Sequence, residues 1–261
     1  MNIIAIIPAR MGSSRFPGKP MADILGMPMV GHVALRTAMS EKLSGTYIAT
    51  CDRIIKDFAD GIGIPGIMTS DKHTRCSDRT AEALLAVEAM TGKRVDIVVM
   101  VQGDEPMVTP EMVDAAIEPL LNDPSLNVVN LMGTIDSVED FENPNEVKVV
   151  TDLKGNALYF SREPVPSRKK GASVVPMKKQ VCVIPFRRDY LLRFNSLPET
   201  PLEIIESVDM MRVLENGDVV RMVPTATANL SVDTPEDLER VRALMKDDPL
   251  MGAYMKKRTC P

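Results

Sequence analysis

Three short stretches of the sequence carry residues whose types and spacing could do chemistry. Pro8-Ala9-Arg10-Met11-Gly12-Ser13-Ser14-Arg15-Phe16-Pro17-Gly18-Lys19-Pro20 sets Arg10, Arg15 and Lys19 within ten residues, beside two glycines that let the backbone approach a ligand. Cations so placed neutralise a polyphosphate and stabilise charge building on a pyrophosphate leaving group. It is not a Walker A loop, because Lys19 is followed by Pro20 and the glycines are spaced differently. A solvated basic connector is the bland alternative, and it fits poorly with a loop that directly follows an apolar run. Asp104, in Val101-Gln102-Gly103-Asp104-Glu105-Pro106, and Asp233, in Ser231-Val232-Asp233-Thr234-Pro235, are the candidate metal ligands. Mg2+ takes one or two carboxylates and completes its shell with phosphate oxygens and water. For Asp233 a helix-capping role is the competing reading. Glu105, Glu236 and Asp237 read as satisfied or solvated groups.

The elements that position these residues follow from patterning. Asn2 to Ile7 is an Ile-rich run and Val95 to Val101 a largely apolar one, as expected of parallel strands covered on both faces. Short strands at 46–50 and 64–69 alternate with helical spacing at 28–40, 54–60 and 79–91, the last with Ser77 as candidate cap. In such sheets ligands bind beyond the carboxyl ends of the strands, which is where both the basic loop and Asp104 fall. After about residue 127 the signal changes to strands at 127–133, 146–151, 156–161 and 174–185. A helix is predicted over 201–215, a strand over 218–224, and a last helix opening at 233–237. The expected fold class is α/β, a nucleotidyltransferase-like, mostly parallel sheet with helices on both faces and an inserted, more antiparallel lobe. One domain is expected over 1–245, with the insert at roughly 134–200 and a loose tail over 246–261.

Composition narrows the function. The chain has 261 residues, 44% hydrophobic and 26% charged, which suits an ordinary folded protein. A net charge of −5 argues against a nucleic-acid-coating protein. No run approaches a membrane span and the N-terminus shows no export pattern, so a cytoplasmic enzyme with no membrane partner is expected. Cys51, Cys76, Cys182 and Cys260 have no metal-ligand spacing and read as free thiols. The nineteen methionines read as core filling.

These motifs, together with Asn143 to Val150, Ala157 to Arg162 and Val232 to Arg240, resemble the 3-deoxy-manno-octulosonate (Kdo) cytidylyltransferases from residue 2 to about 245. The resemblance implies transfer of CMP from CTP to the anomeric hydroxyl of an acidic 2-keto sugar, with Mg2+ as cofactor, pyrophosphate as product and a homodimer as the assembly. It implies Arg10, Arg15 and Lys19 on the triphosphate and Asp104 and Asp233 on the metal. It places Ala9, Ser14, Arg75, Ser77, Arg79 and Gln102 at the nucleotide, and Gln102, Arg162, Gln180, Glu206 and Asp209 at the sugar. Three departures stand out. The family's Ser-Gly-Thr-Glu-Arg segment reads Arg75-Cys76-Ser77-Asp78-Arg79, a sugar-facing histidine is Gln180 with a nearby tyrosine now Ile184, and a sugar-contacting glutamine is Met210. Another small acid as acceptor, or a non-catalytic nucleotide-binding module, are therefore the alternatives.

Overall fold

The computed structural model describes residues 1–12, 15–172, 174–225 and 230–255. In chain order it contains β1 (Ile3–Pro8), β2 (Asp23–Ile24), β3 (Met27–Pro28), α1 (Met29–Thr37), β4 (Gly45–Thr50), α2 (Arg53–Gly61), β5 (Gly66–Met68), α3 (Cys76–Thr91), β6 (Ile97–Val101) and α4 (Pro110–Asn122). There follow β7 (Val128–Thr134), α5 (Val138–Glu142), β8 (Lys148–Thr151), β9 (Ala157–Ser161), β10 (Lys178–Val181), β11 (Val183–Arg187), α6 (Arg188–Ser196), α7 (Pro201–Glu206), α8 (Met210–Glu215) and β12 (Val220–Pro224). The chain closes with α9 (Pro235–Met245) and α10 (Pro249–Met255). It divides into two compact units, Met1–Asp114 with Asn229–Pro261, and Ala115–Ala228.

In the first unit β5, β4, β1 and β6 pair in that order, all parallel, with Ile7 opposite Ile48 and Ile6 opposite Met100. Every residue of β1 and β6 is buried, which is why both read as unbroken apolar runs. Parallel pairing requires a crossover between strands, and α1, α2 and α3 provide the connections. It also brings the loops after β1, β4 and β6 out at the same strand ends. In the second unit β11, β10, β8 and β9 build on β7 by antiparallel pairing, and β12 adds one parallel partner. The α/β class, and the shift from parallel to antiparallel pairing after residue 127, are as the patterning implied.

Several local expectations are corrected. The predicted helix 201–215 is two helices, because Ser207 adopts a left-handed backbone at φ 52°. The turn lets the buried Arg212 guanidinium reach Glu203 at 2.6 and 2.7 Å, folding α8 back on α7. The predicted strand 174–185 is interrupted at Cys182, with β10 and β11 both pairing β7. Ser77 does not cap α3: the helix begins at Cys76 after Arg75, and Ser77 is a fully buried residue of its first turn. Helices α4, α5 and α6 were not legible in the pattern. Within the expected loose tail, Pro249–Met255 is the helix α10, and its Tyr254 is 3% exposed. Met27, Met29, Met210, Met211 and Met245 are buried, in keeping with core filling. Cys51, Cys76 and Cys182 form no disulfide, and Cys260 lies outside the described residues. Among the described residues no helix is long and apolar enough to cross a membrane.

The contact that secures α10 is a buried histidine. His32 Nε2 lies 2.8 Å from the Ile24 carbonyl and so carries the proton, leaving Nδ1 to accept from the Tyr254 hydroxyl at 2.7 Å. Burial pushes the His32 pKa below its ordinary value, and nearby Arg36 adds to this against the opposing pull of the Ile24 carbonyl and Asp23. The folded protein holds His32 neutral while the unfolded chain accepts a proton near pH 6.5, so this contribution is complete above that pH and falls as pH drops below it. The thermal midpoint should therefore decline from pH 7.5 to 5.5, each ~1 kcal/mol showing as roughly 2–4 °C. In His32→Asn, which cannot titrate, the slope measured by circular-dichroism melts should be shallower.

Candidate functional site

The basic loop is shaped by its backbone before any side chain acts. The Ala9 N–H continues the sheet by donating to the Ala49 carbonyl at 2.9 Å, and the Met11 N–H donates to the Asp52 carboxylate at 2.7 Å. The Gly18 N–H closes the loop onto the Met11 carbonyl at 3.1 Å from φ +76°, a conformation that favours glycine. A single 3-10 turn over Lys19–Met21 then drives Lys19 inward. On the neighbouring strand Gly103 passes so near β1 that a Cβ there would sit 3.1 Å from the Pro8 carbonyl oxygen.

Lys19 is the centre of the site. Its Nζ donates to Asp104 Oδ2 at 2.7 Å, to the Val232 carbonyl at 2.7 Å and to Asp233 Oδ1 at 3.3 Å. Arg15 adds a second cation to Asp233 Oδ1 at 2.9 Å. Burial alone would lower the Lys19 pKa, but the Asp104 and Asp233 carboxylates outweigh it and hold the ammonium above its ordinary value. The two acid-bearing segments are also tied directly, the Val232 N–H donating to the Asp104 carbonyl at 2.9 Å. The capping alternative for Asp233 is settled by geometry: Thr234 caps α9, in a capping box with Asp237. Asp237 has a further role that the sequence concealed. Its Oδ2 accepts the backbone N–H groups of Asp233 and Thr234 at 3.1 and 3.0 Å and so orients the acid.

Around this knot lies a cleft of about 300 Å³, lined by Ala9, Arg10, Gly12, Arg15, Lys19, Thr74, Cys76, Gln102 and Asp104 among others. A recess of about 40 Å³ adjoins it, against Arg10, His73, Thr74, Arg75, Cys76 and Arg79. Arg79 is 2% exposed and turned into the protein, donating to Thr69 Oγ1 and to the Ser70 and His73 carbonyls. Glu82 accepts from the Ser70 N–H and pairs with His73, fixing the same loop from its other side. Arg79 thus shapes the recess by holding its wall. Asp52, Thr74 and Cys76 were missed in the sequence reading, although Asp52 follows the carboxyl end of β4 as Asp104 follows that of β6. Ser14 lies outside the described residues.

The remaining site candidates belong to the second unit. Arg162 spends its guanidinium on the carbonyls of Glu206, Pro144 and Ser207, and its own N–H donates to the Glu206 carboxylate at 2.8 Å. Glu206 also accepts from the Tyr159 hydroxyl at 3.0 Å. Gln180 donates to Asn130 Oδ1 at 2.6 Å, and Asp209, half-buried, starts α8. Lys148, fully buried, donates to the carbonyls of Asn143, Glu146 and Arg162. Burial lowers its pKa.

A hard divalent cation fits the first unit's acids. Asp104 and Asp233 converge on one positive point, and among the described residues no third His, Cys, Asp or Glu joins them. Such a pair suits a cation whose other ligands come from phosphate and water.

The family model for cytidylyltransferase matches residues 4–224. The 3-deoxy-manno-octulosonate cytidylyltransferase of Geobacter sulfurreducens is 44% identical over 256 residues, spanning 94% of this chain and 100% of that protein. That of Solibacter usitatus is 41% identical, spanning 96% of this chain and 97% of its own. Among solved structures, CMP:2-keto-3-deoxy-manno-octonic acid synthetase complexed with CTP superposes with a TM-score of 0.85 at 36% identity, covering 95% of this chain and 100% of that one.

Lys19→Met removes the counter-ion of two facing carboxylates. It should cost about 1–3 kcal/mol of stability at pH 7, the scale for a buried group stripped of its partner. With the folded Lys19 pKa raised, that deficit should hold steady through neutral pH and shrink as pH climbs past the ordinary lysine value of 10.5. Urea titrations of both proteins at pH 7, 9 and 11 measure it.

Proposed function

Because the chain belongs to the 3-deoxy-manno-octulosonate cytidylyltransferase family, we propose that it joins CMP from CTP to the anomeric hydroxyl of that acidic 2-keto sugar and releases pyrophosphate, with Mg2+ as cofactor. The observation that carries this reading is the Lys19 ammonium set between Asp104 and Asp233, in a cleft whose rim bears Arg10 and Arg15.

The sugar hydroxyl oxygen attacks the α-phosphorus and gives up its proton to solvent, the bond from that phosphorus to the bridging oxygen breaks, and pyrophosphate departs with the negative charge. Arg10, Arg15 and Lys19 bind the triphosphate and neutralise that charge as it develops. Asp104 and Asp233 would hold the magnesium ion, whose chemistry when bound would be to polarise phosphate oxygen and lower the pKa of the attacking hydroxyl. By resemblance to the family, Ala9, Ser14, Arg75, Ser77 and Gln102 bind the nucleotide, and Arg79 lies in the segment that frames the cytidine. Gln102, Arg162, Gln180, Glu206 and Asp209 serve the acidic sugar, Arg162 and Glu206 through the paired network they form. Catalysis is then mostly positioning and electrostatics. The enzyme acts as a homodimer in the cytoplasm.

One observation favours a second acceptor, a modified ulosonic acid. Gln180 gives an amide N–H to Asn130, and Met210 is fully buried and offers no hydrogen bond. A site lacking a partner for a substrate hydroxyl loses discrimination for it. Turnover of a panel of ulosonic acids decides between the two. If the second reading holds, a modified acid outcompetes Kdo and Gln180→His moves the preference back.

Asp104→Ala should lower the rate of pyrophosphate release from CTP by about 10³-fold or more, because several kcal/mol of charge stabilisation goes with the cation. Its circular-dichroism spectrum should match that of the wild type. A variant that keeps full magnesium-dependent turnover contradicts the assignment.

A further inference from the structure

The counter-ion of the two acids is a part of the protein. Lys19 Nζ sits 2.7 Å from Asp104 and 3.3 Å from Asp233, on a side chain only 11% exposed. Its third acceptor is the Val232 carbonyl at 2.7 Å, so its three ammonium protons have three acceptors. Arg15 supplies further positive charge to Asp233. A bare dication approaching this pair therefore meets cations already in place. Among the described residues there is also no third carboxylate, histidine or cysteine to offset the cost of displacing them.

We propose that Lys19 acts as an internal gate, keeping divalent cations off the Asp104–Asp233 pair until a nucleoside triphosphate draws its ammonium away. The phosphates can do this, since they offer the ammonium several charged oxygen acceptors in exchange for the two carboxylates it gives up. The same charge is then used twice, first to quiet the acids and then to hold the phosphates. Nucleotide and cation bind as a coupled pair, each raising the other's affinity by the same factor. A protein with unscreened acids would instead load any abundant divalent ion. The gate rests on the reading that this pair holds the cation of a CTP-dependent transfer.

Mn2+ is the probe, followed by water-proton relaxation enhancement, which reports protein-bound Mn2+ apart from Mn2+ in small complexes. Full-length protein is used without sugar, so nothing turns over. Wild type alone should bind Mn2+ weakly, and CTP should tighten binding roughly tenfold or more. Lys19→Met alone should bind Mn2+ roughly tenfold or more tighter than wild type alone, and the double variant Lys19→Met/Asp104→Ala should lose that gain. Equal Mn2+ affinity in wild type and Lys19→Met, or a gain that survives loss of Asp104, overturns the gate. A second measurement needs no Lys19 variant. Mn2+ alone should leave the wild-type melting temperature unchanged, whereas Mn2+ with CTP raises it above the value with CTP alone. A rise with Mn2+ alone that vanishes in Asp104→Ala also overturns the gate. Failure of the underlying reading looks different: Asp104→Ala would then bind Mn2+ with CTP as wild type does, and the gate falls with it.

Discussion

Two carboxylates aimed at one point repel unless a cation stands between them, and the first unit is organised around that requirement. Asp104, Asp233 and Lys19 come from segments 85 and 214 positions apart from the lysine, yet all are drawn to one ammonium. The Val232 N–H bond to the Asp104 carbonyl ties the two acid-bearing segments together whatever the charge on the side chains. Parallel pairing of β1 with β6 brings the basic loop and Asp104 out at the same strand ends, and the Thr234 capping box aims Asp233 from the start of α9. The site is thus an electrostatic centre with a backbone frame, and the frame is what makes the cost of concentrating charge tolerable.

The support extends beneath the cleft. Arg36, 2% exposed on α1, donates to the Val108 carbonyl at 2.6 Å and the Met107 carbonyl at 3.4 Å, just beyond Asp104 in the chain. It pairs with Asp248, at the head of α10, while Tyr254 on that helix bonds His32 on α1. A buried arginine committed to backbone carbonyls fixes the course of the Asp104 loop by hydrogen-bond demand, because leaving those donors unmet would be expensive. The second unit uses the same device. Buried Lys148 gathers three carbonyls, one of them from Arg162, so the residues assigned to the sugar are set by a network in which few polar groups are left to choose their own direction.

Much of this was legible in the residues. Apolar runs at 2–7 and 95–101 announced buried parallel strands, and the cations at 10, 15 and 19 announced a basic loop after the first of them, because burial and charge are properties of residue type. The spacing of Asp237 suits a solvated group, and nothing in it shows that its carboxylate takes the Asp233 N–H. The helix expected over 201–215 failed at Ser207 because the Glu203–Arg212 ion pair, invisible in the apolar spacing, favours two helices folded together. The tail failed for the same kind of reason: Pro249–Met255 carries too little periodicity to declare a helix, and is held by Tyr254 and Asp248 reaching residues more than two hundred positions earlier.

The amino-acid sequence by itself determined the α/β class, the basic loop after the first strand, the acid after the sixth, and the family to which the chain belongs. Each of these is written in local residue type and order. Only the tertiary structure decided that Lys19 rather than Arg10 bridges the acids, that Asp233 pairs with Lys19 and Arg15 while Thr234 is the cap, and that Arg79 turns inward to hold a wall. Those outcomes depend on which groups meet across long stretches of chain, where an ion pair or a hydrogen bond is settled by distance and burial and not by spacing along the backbone.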